Sequence, residues 1–161
     1  MSDKSSAGGS LSRELIGTWE LVSRIDRTAT GERRPEPLLG EDPIALLYYD
    51  RSGHFAAQFM RRDRALSSMP NAGADVATPG TVAPNNSRAR GGYDAYFGTY
   101  TVDDARGTVT QRLLGALSPE NVGQLLTRAM TVEGTTLTIT LETATAGGEP
   151  VVRCLTWKRV G

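Results

Sequence analysis

The fold is decided by residues 124–143, whose sequence is QLLTRAMTVEGTTLTITLET. Apolar and polar residues alternate on both sides of Glu133 and Gly134, and an acidic residue followed by glycine is typical of a tight hairpin turn. The threonine-rich second arm favours a strand, because β-branched side chains suit a pleated surface. The stretch therefore predicts an antiparallel hairpin with strands over 124–132 and 135–143.

The same period of two extends outward in both directions. It recurs in 17–26 (GTWELVSRID), in the hairpins 44–62 (IALLYYDRSGHFAAQFMRR) and 93–115 (YDAYFGTYTVDDARGTVTQRLLG), and in 151–160 (VVRCLTWKRV). About eight strands joined mostly by short turns predict an all-β, single up-and-down antiparallel barrel, with one short helical turn before the first strand. Closure removes the unpaired edges of an open sheet. Periodicity alone is also compatible with a sandwich.

The remaining segments predict the domain organisation. Residues 1–12 are small and polar and predict a disordered tail, so that the barrel domain covers 13–161. Residues 62–92 lose the alternation and are rich in Pro, Gly, Ala, Asn and Ser, which predicts a long, lid-like loop. On the first strand, strict alternation places Trp19, Leu21, Ser23 and Ile25 on one face.

Composition excludes several classes of partner. Lys and Arg number 18, as do Asp and Glu, so the formal net charge is zero and neither nucleic acid nor a membrane is an expected partner. The single cysteine, Cys154, cannot form an internal disulfide, and with one histidine it is too little for a zinc site. The first residues contain no apolar run, so we expect no secretory signal, and no apolar run in the sequence is long enough to cross a bilayer. We expect a cytoplasmic protein, either a monomer or a weak homodimer, with no metal.

A resemblance to a known family rests on five phrases in order. They are GTWELVS (17–23), LGEDPIALLYYDRSGHFAAQFMR (39–61), AYFGTYTVD (95–103), SPENVG (118–123) and LTWKR (155–159). Together they resemble the bacterial and fungal lipocalin-like domain family. The resemblance implies a small barrel around a ligand cavity, with Trp19 covered by Arg159 at one end. Family members often carry paired histidines where this chain has Gln111 and Arg112, so chemistry assigned to those positions does not transfer.

Arg128 is the first candidate for a ligand contact. It is in phase with the apolar residues Leu126 and Met130, which places its guanidinium inside the barrel. A buried arginine needs an anion or several acceptors, and its planar fork suits a carboxylate, an enolate or a polarised carbonyl of a ligand. The alternatives are a structural ion pair with Glu142 or Glu20, or packing of the stem.

Aromatic and polar residues on two other strands extend the candidate site. Tyr96 and Tyr100 flank Gly98 on one face and offer apolar walls with polar tips. His54 is the only side chain that ordinarily titrates near neutral pH, which makes it a candidate acid or base. Alternation leaves its direction open: His54 and Gln58 face the cavity together, or His54 is exposed at the hairpin turn.

These residues predict a small hydrophobic ligand and no cofactor. We interpret the protein as a cofactor-independent isomerase or cyclase of a polyketide- or terpenoid-like intermediate in secondary metabolism, the alternative being a non-catalytic carrier; haem binding through His54 is a weaker possibility. The predicted catalytic residues are Arg128, His54 and Tyr100. The predicted substrate-binding residues are Tyr96, Gln58, Met130, Leu126, Trp157 and Tyr48.

Overall fold

A computed structural model describes residues 9–64 and 86–161 of the chain. Within these ranges, helix α1 is Leu11–Glu14 and a 3-10 turn spans Pro119–Asn121. The strands are β1 (Gly17–Arg27), β2 (Arg33–Arg34), β3 (Ile44–Tyr49), β4 (His54–Met60), β5 (Tyr93–Asp103), β6 (Thr108–Ala116), β7 (Leu125–Glu133), β8 (Thr136–Ala144) and β9 (Pro150–Arg159). Most of the predicted tail and residues 65–85 of the predicted lid-like loop lie outside the described residues. The domain boundary at residue 12 stays a prediction.

The sheet closes on itself. Each strand from β3 to β9 pairs antiparallel with the next, β1 pairs with β3, and β9 pairs back with β1. This gives an eight-stranded up-and-down barrel, to which β2 adds a short ninth strand along β1. The predicted barrel and the helical turn before it are confirmed. No helix among the described residues has the length and apolar character needed to cross a membrane.

One end of the barrel is sealed by Trp19 and Arg159. The indole Nε1 of Trp19 donates a hydrogen bond of 2.9 Å to the carbonyl of Leu15, the residue that follows α1. The Arg159 guanidinium lies 4.3 Å from the Trp19 ring centroid and donates to the carbonyls of Ile16 and Glu14. This cation–π stack therefore ties the first strand, the last strand and the helical turn together.

A β-bulge in β1 changes which residues point inward. The register of β1 against β9 shifts between Leu21 and Ser23, so Trp19 and Leu21 face the interior before it, and Arg24 and Asp26 face the interior after it. The prediction that Trp19, Leu21, Ser23 and Ile25 share one face is wrong beyond Leu21, because the extra residue in a bulge reverses the alternation that follows. The bulge thus carries two charged side chains into the barrel.

The other strands follow the alternation of their sequences, apart from a second register shift between β5 and β6 at Phe97 and Gly98. Their inward-facing residues include Ala45, Leu47 and Tyr49 on β3; Phe55, Ala57 and Phe59 on β4; Val109, Gln111 and Leu113 on β6; Leu126, Arg128 and Met130 on β7; Leu137, Ile139 and Leu141 on β8; and Val151, Arg153, Leu155 and Trp157 on β9. The apolar core includes Trp19 and extends to side chains such as Phe59 and Trp157. Three arginines, Arg24, Arg128 and Arg153, together with Asp26, also lie inside the barrel.

We predict that Asp26→Ala lowers the free energy of unfolding by about 3–5 kcal/mol, because it leaves the buried Arg153 guanidinium without its main partner. Asp26 and Arg153 are cross-strand neighbours on β1 and β9 and form a buried ion pair. The control is Asp42→Ala, which removes an exposed pair with Arg62 and is expected to cost at most about 1 kcal/mol. Urea unfolding of both variants checks this. Equal losses would contradict a stabilising role of the buried pair.

Candidate ligand cavity

A cavity of about 160 Å³ lies inside the barrel and is bordered by part of the apolar core. Segments 36–39 and 86–89 lie across it, and the second of these is the described end of the predicted lid-like loop. One part of the wall is apolar and is formed by Leu47, Phe59, Ile139, Leu141, Leu155 and Trp157. A cavity of this size matches a ligand of about one ring.

A network of ion pairs forms the polar side of the cavity. Arg153 Nε and Nη2 donate to the two carboxylate oxygens of Asp26 at 2.7 and 2.9 Å, and Nη1 donates to Asn86 Oδ1 at 3.1 Å. Glu36 Oε2 lies 3.6 Å from both Arg153 Nη2 and Arg24 Nη1. Burial and the neighbouring Arg153 lower the pKa of Arg24 to about 10, so it remains charged at neutral pH. Arg24 and Arg153 therefore have carboxylate partners within the protein.

Asp94 is a buried carboxyl group on the cavity wall. It lies on β5, is 4% exposed, and accepts a hydrogen bond from Ser87 Oγ through Oδ2. Its Oδ1 is buried and has no hydrogen-bond partner among the described residues. Burial raises the pKa of Asp94 to about 6, although the Ser87 hydrogen bond and the charges of Arg24 and Arg153 oppose the shift. Near neutral pH this group can therefore exchange a proton with a bound molecule.

Arg128 faces the same cavity from β7. It is 5% exposed and its Nη1 donates to the carbonyl of Thr127 at 3.4 Å. Burial lowers the pKa of Arg128, while its interactions with Tyr96 and Tyr49 oppose that shift. Burial also raises the pKa of Tyr96 to about 12, so its phenol is neutral. Arg128 therefore supplies a positive charge to the cavity wall, and Tyr96, which interacts with Asp94, supplies a neutral hydroxyl group.

The structure places several predicted site residues inside the barrel. Arg128, Tyr96 and Trp157 line the cavity. Leu126 and Met130 also point inward, but they pack in the core beside it. Tyr100 packs against that core, and its hydroxyl donates to the carbonyl of Asp50 at 2.6 Å, at the turn between β3 and β4. These last three residues do not line the cavity.

The cavity-lining positions predicted for His54, Gln58 and Tyr48 are corrected. His54 is exposed, with Nδ1 2.6 Å from Ser52 Oγ, and Gln58 Oε1 accepts from the Tyr93 hydroxyl at 2.7 Å on the outer face. Tyr48 is exposed on β3. The reason is the alternation itself: the more apolar faces of β3 and β4 turn inward, and these residues lie on the opposite faces.

Sequence reasoning missed four polar residues of the cavity that lie on strands. Arg153 is in phase with Leu155 and Trp157, and Asp94 is in phase with Tyr96, so the alternation contained the signal for both. Gln111 lies between Val109 and Leu113 and is inward for the same reason. Arg24 gave no such signal, because the bulge hides its phase. Among the described residues, no group of His, Cys, Asp and Glu side chains is placed to hold a metal ion.

A closed antiparallel barrel with a mixed polar and apolar cavity is the architecture of a small-molecule-binding barrel protein. The family model for the lipocalin-like domain matches residues 16–160, which is nearly the whole chain. The chain belongs to the lipocalin-like domain family, as its sequence phrases implied. No curated protein matches the chain.

We predict that Asp94→Asn stabilises the protein at neutral pH. The pKa of Asp94 is about 6 in the folded protein against an ordinary 3.8, so ionisation disfavours the folded state progressively as the pH rises through that interval. The difference corresponds to about 3 kcal/mol, and asparagine retains an acceptor for Ser87. Urea unfolding from acid to neutral pH checks this. The stability difference between variant and wild type should widen as the pH rises, and a constant difference would contradict the assignment.

Proposed function

We propose that the protein binds a small, mostly apolar carbonyl compound in the cavity and isomerises it without a cofactor. The observation that carries this proposal is the buried Asp94 carboxyl, which lines the cavity, has an oxygen without a partner among the described residues, and has a pKa near 6. Asp94 thus takes the acid–base role for which sequence analysis considered His54.

The proposed reaction moves one proton from one carbon atom of the ligand to another. The Asp94 carboxylate removes a proton from the carbon beside the carbonyl, and the electron pair of that C–H bond moves toward the carbonyl oxygen to give an enolate. The Arg128 guanidinium stabilises the negative charge on that oxygen. The Asp94 carboxylic acid then returns the proton to a different carbon, so the product has the mass of the substrate and nothing is oxidised or reduced.

The apolar wall and the covering segments support this chemistry. Trp157, Phe59 and Leu141 form an apolar surface for the ligand body. Segments 36–39 and 86–89 also line the cavity, and a ligand that displaces water from it strengthens the interaction between Arg128 and a developing oxyanion. Closure of the rest of the 62–92 loop as a lid stays a prediction.

We predict that the wild-type protein converts a cyclohexenone with its double bond β,γ to the carbonyl into the conjugated isomer. Product formation is followed by ultraviolet absorbance, and an unchanged mass is checked by mass spectrometry. The rate should rise with pH through about 6, because the carboxylate form of Asp94 is the base. Arg128→Leu and Asp94→Asn should each lower the rate by at least about a hundredfold.

Matched surface variants serve as controls. Arg112→Leu removes an exposed arginine from the neighbouring strand β6, and Asp42→Asn neutralises an exposed loop carboxylate. Both should isomerise the ketone at the wild-type rate. Stoichiometric binding of the ketone without conversion would overturn catalysis and indicate a carrier. Native mass spectrometry of protein from its own source, before and after denaturation, would then identify the compound carried.

A further inference from the structure

Large apolar side chains are exposed on the outer face of β5, β6 and β7 and on the turn between β6 and β7. Phe97 is 56% exposed and Leu125 is 64% exposed, and Leu114, Leu117 and Val122 are exposed as well. We call these five residues the outer patch. An antiparallel sheet with one face toward water ordinarily carries polar side chains on that face, so the outer patch departs from the expected pattern.

The residues of the outer patch are neighbours on the barrel surface. The Phe97 ring lies over its cross-strand partner Gly115, where a side chain would collide with the ring, and Gly115 follows Leu114 in the sequence. Leu125 pairs with Arg112, which precedes Leu114 by two residues, so Leu114 and Leu125 are diagonal neighbours on adjacent strands. The other two patch residues flank the 3-10 turn that connects these strands. The outer patch is therefore continuous.

The next strand, β8, has a polar outer face. Its outward positions are Thr136, Thr138, Thr140 and Glu142. Threonine suits a pleated surface and is compatible with water, so strand formation does not require leucine or phenylalanine at outward positions. A continuous exposed apolar patch on a protein surface marks an interaction site.

The size of the outer patch matches one half of a homodimer interface. Its five side chains expose roughly 500 Å² of apolar surface, which lies in the upper part of the range for the largest patch of a monomer. A standard-size interface buries about 800 Å² on each partner, and about two-thirds of a homodimer interface is apolar. One outer patch therefore supplies the apolar area that each subunit of a stable homodimer buries.

The charges at the margins of the outer patch fit two copies related by a two-fold axis. Arg112 lies at one margin, beside Leu125, and Glu120 lies in the 3-10 turn at the other margin, where it also pairs with Arg90. In a two-fold interface, a residue away from the axis contacts a different residue of the other copy. Such an arrangement brings Arg112 of each copy toward Glu120 of the other, and opposite charges at the rim fix the orientation.

We propose that the outer patch is the interface of a homodimer, in which two copies of the chain pack these faces together about a two-fold axis. Phe97, Leu114 and Leu125 form the apolar centre of this interface, and Arg112 and Glu120 lie at its rim. The interface is on the outside of the barrel, so this inference does not depend on the function proposed for the cavity.

Sedimentation velocity of the full-length protein at micromolar concentration tests the proposal. The wild type should sediment as a dimer, with twice the 17.3 kDa mass of the chain. Leu114→Glu and Leu125→Glu each place a charge in the apolar centre and should raise the Kd of the dimer by at least about a hundredfold. Arg112→Glu brings like charges together at the rim and should raise that Kd by about tenfold.

Val152→Glu is the matched control, because Val152 is also exposed on an outer strand face but lies on β9, outside the outer patch. This variant should remain a dimer. All four variants should keep the circular dichroism spectrum of the wild type, since the substituted side chains are exposed. A second measurement uses the wild type alone: on dilution, the methyl NMR resonances of Leu114 and Leu125 should shift, and those of Val152 should not.

Three results would overturn the proposal. The first is a wild type that is monomeric at every concentration. The second is a dimer that persists in both Leu114→Glu and Leu125→Glu, because the two copies would then associate through another surface. The third is a monomer that co-sediments with phosphatidylcholine vesicles, because a lipid surface would then be what covers the outer patch.

Discussion

The ion pair between Asp26 and Arg153 is the interaction on which the rest of the barrel depends. It joins the first and last long strands at the seam where the sheet closes, with two hydrogen bonds of 2.7 and 2.9 Å in a buried setting. Charges in such a place need full hydrogen bonding, because desolvation otherwise exceeds the attraction between them. The bulge after Leu21 meets this need, since it turns Asp26 inward toward its partner. Seam closure and the polar side of the cavity thus share one structural cause.

The interior of the barrel is packed differently around Trp19 and around the cavity. At the sealed end, the Arg159 guanidinium stacks on Trp19, and large apolar side chains fill the interior around it. Around the cavity, arginines and carboxyl groups lie among core side chains such as Phe59 and Trp157, and the interior is not filled. Close packing stabilises a domain but leaves no room for a ligand. Close packing around Trp19 stabilises the barrel, and the unfilled cavity leaves room for a ligand beside the charged groups.

Sequence reasoning found the barrel because its main signals are local. Alternation and hairpin turns such as Glu133-Gly134 need no knowledge of distant residues, and the uninterrupted alternation of β7 was enough to place Arg128 inside. Local patterns were not enough to predict all of the cavity residues. The bulge that turns Arg24 inward depends on pairing with β9, which the local pattern does not contain. His54 belongs to a strand with apolar residues on both faces, so only the assembled barrel fixes its direction. Asp94 was not predicted because an aspartate near the start of a strand is ordinarily exposed.

The acid–base role proposed for Asp94 argues for a ligand without a carboxylate group. Arg24, Arg88, Arg128 and Arg153 line the cavity together with Glu36 and Asp94, and Asp26 pairs with Arg153, so the arginines outnumber the carboxyl groups by one. A ligand carboxylate would add a negative charge beside Asp94 and would favour protonation of that group, which would remove the base that the proposed reaction needs. A carbonyl compound adds no charge on binding. Its oxygen becomes negative only as the enolate forms, when Asp94 has taken up the proton and become neutral. The negative charge thus moves from the Asp94 carboxylate to the ligand oxygen, where Arg128 stabilises it. The total charge in the cavity does not change during the reaction.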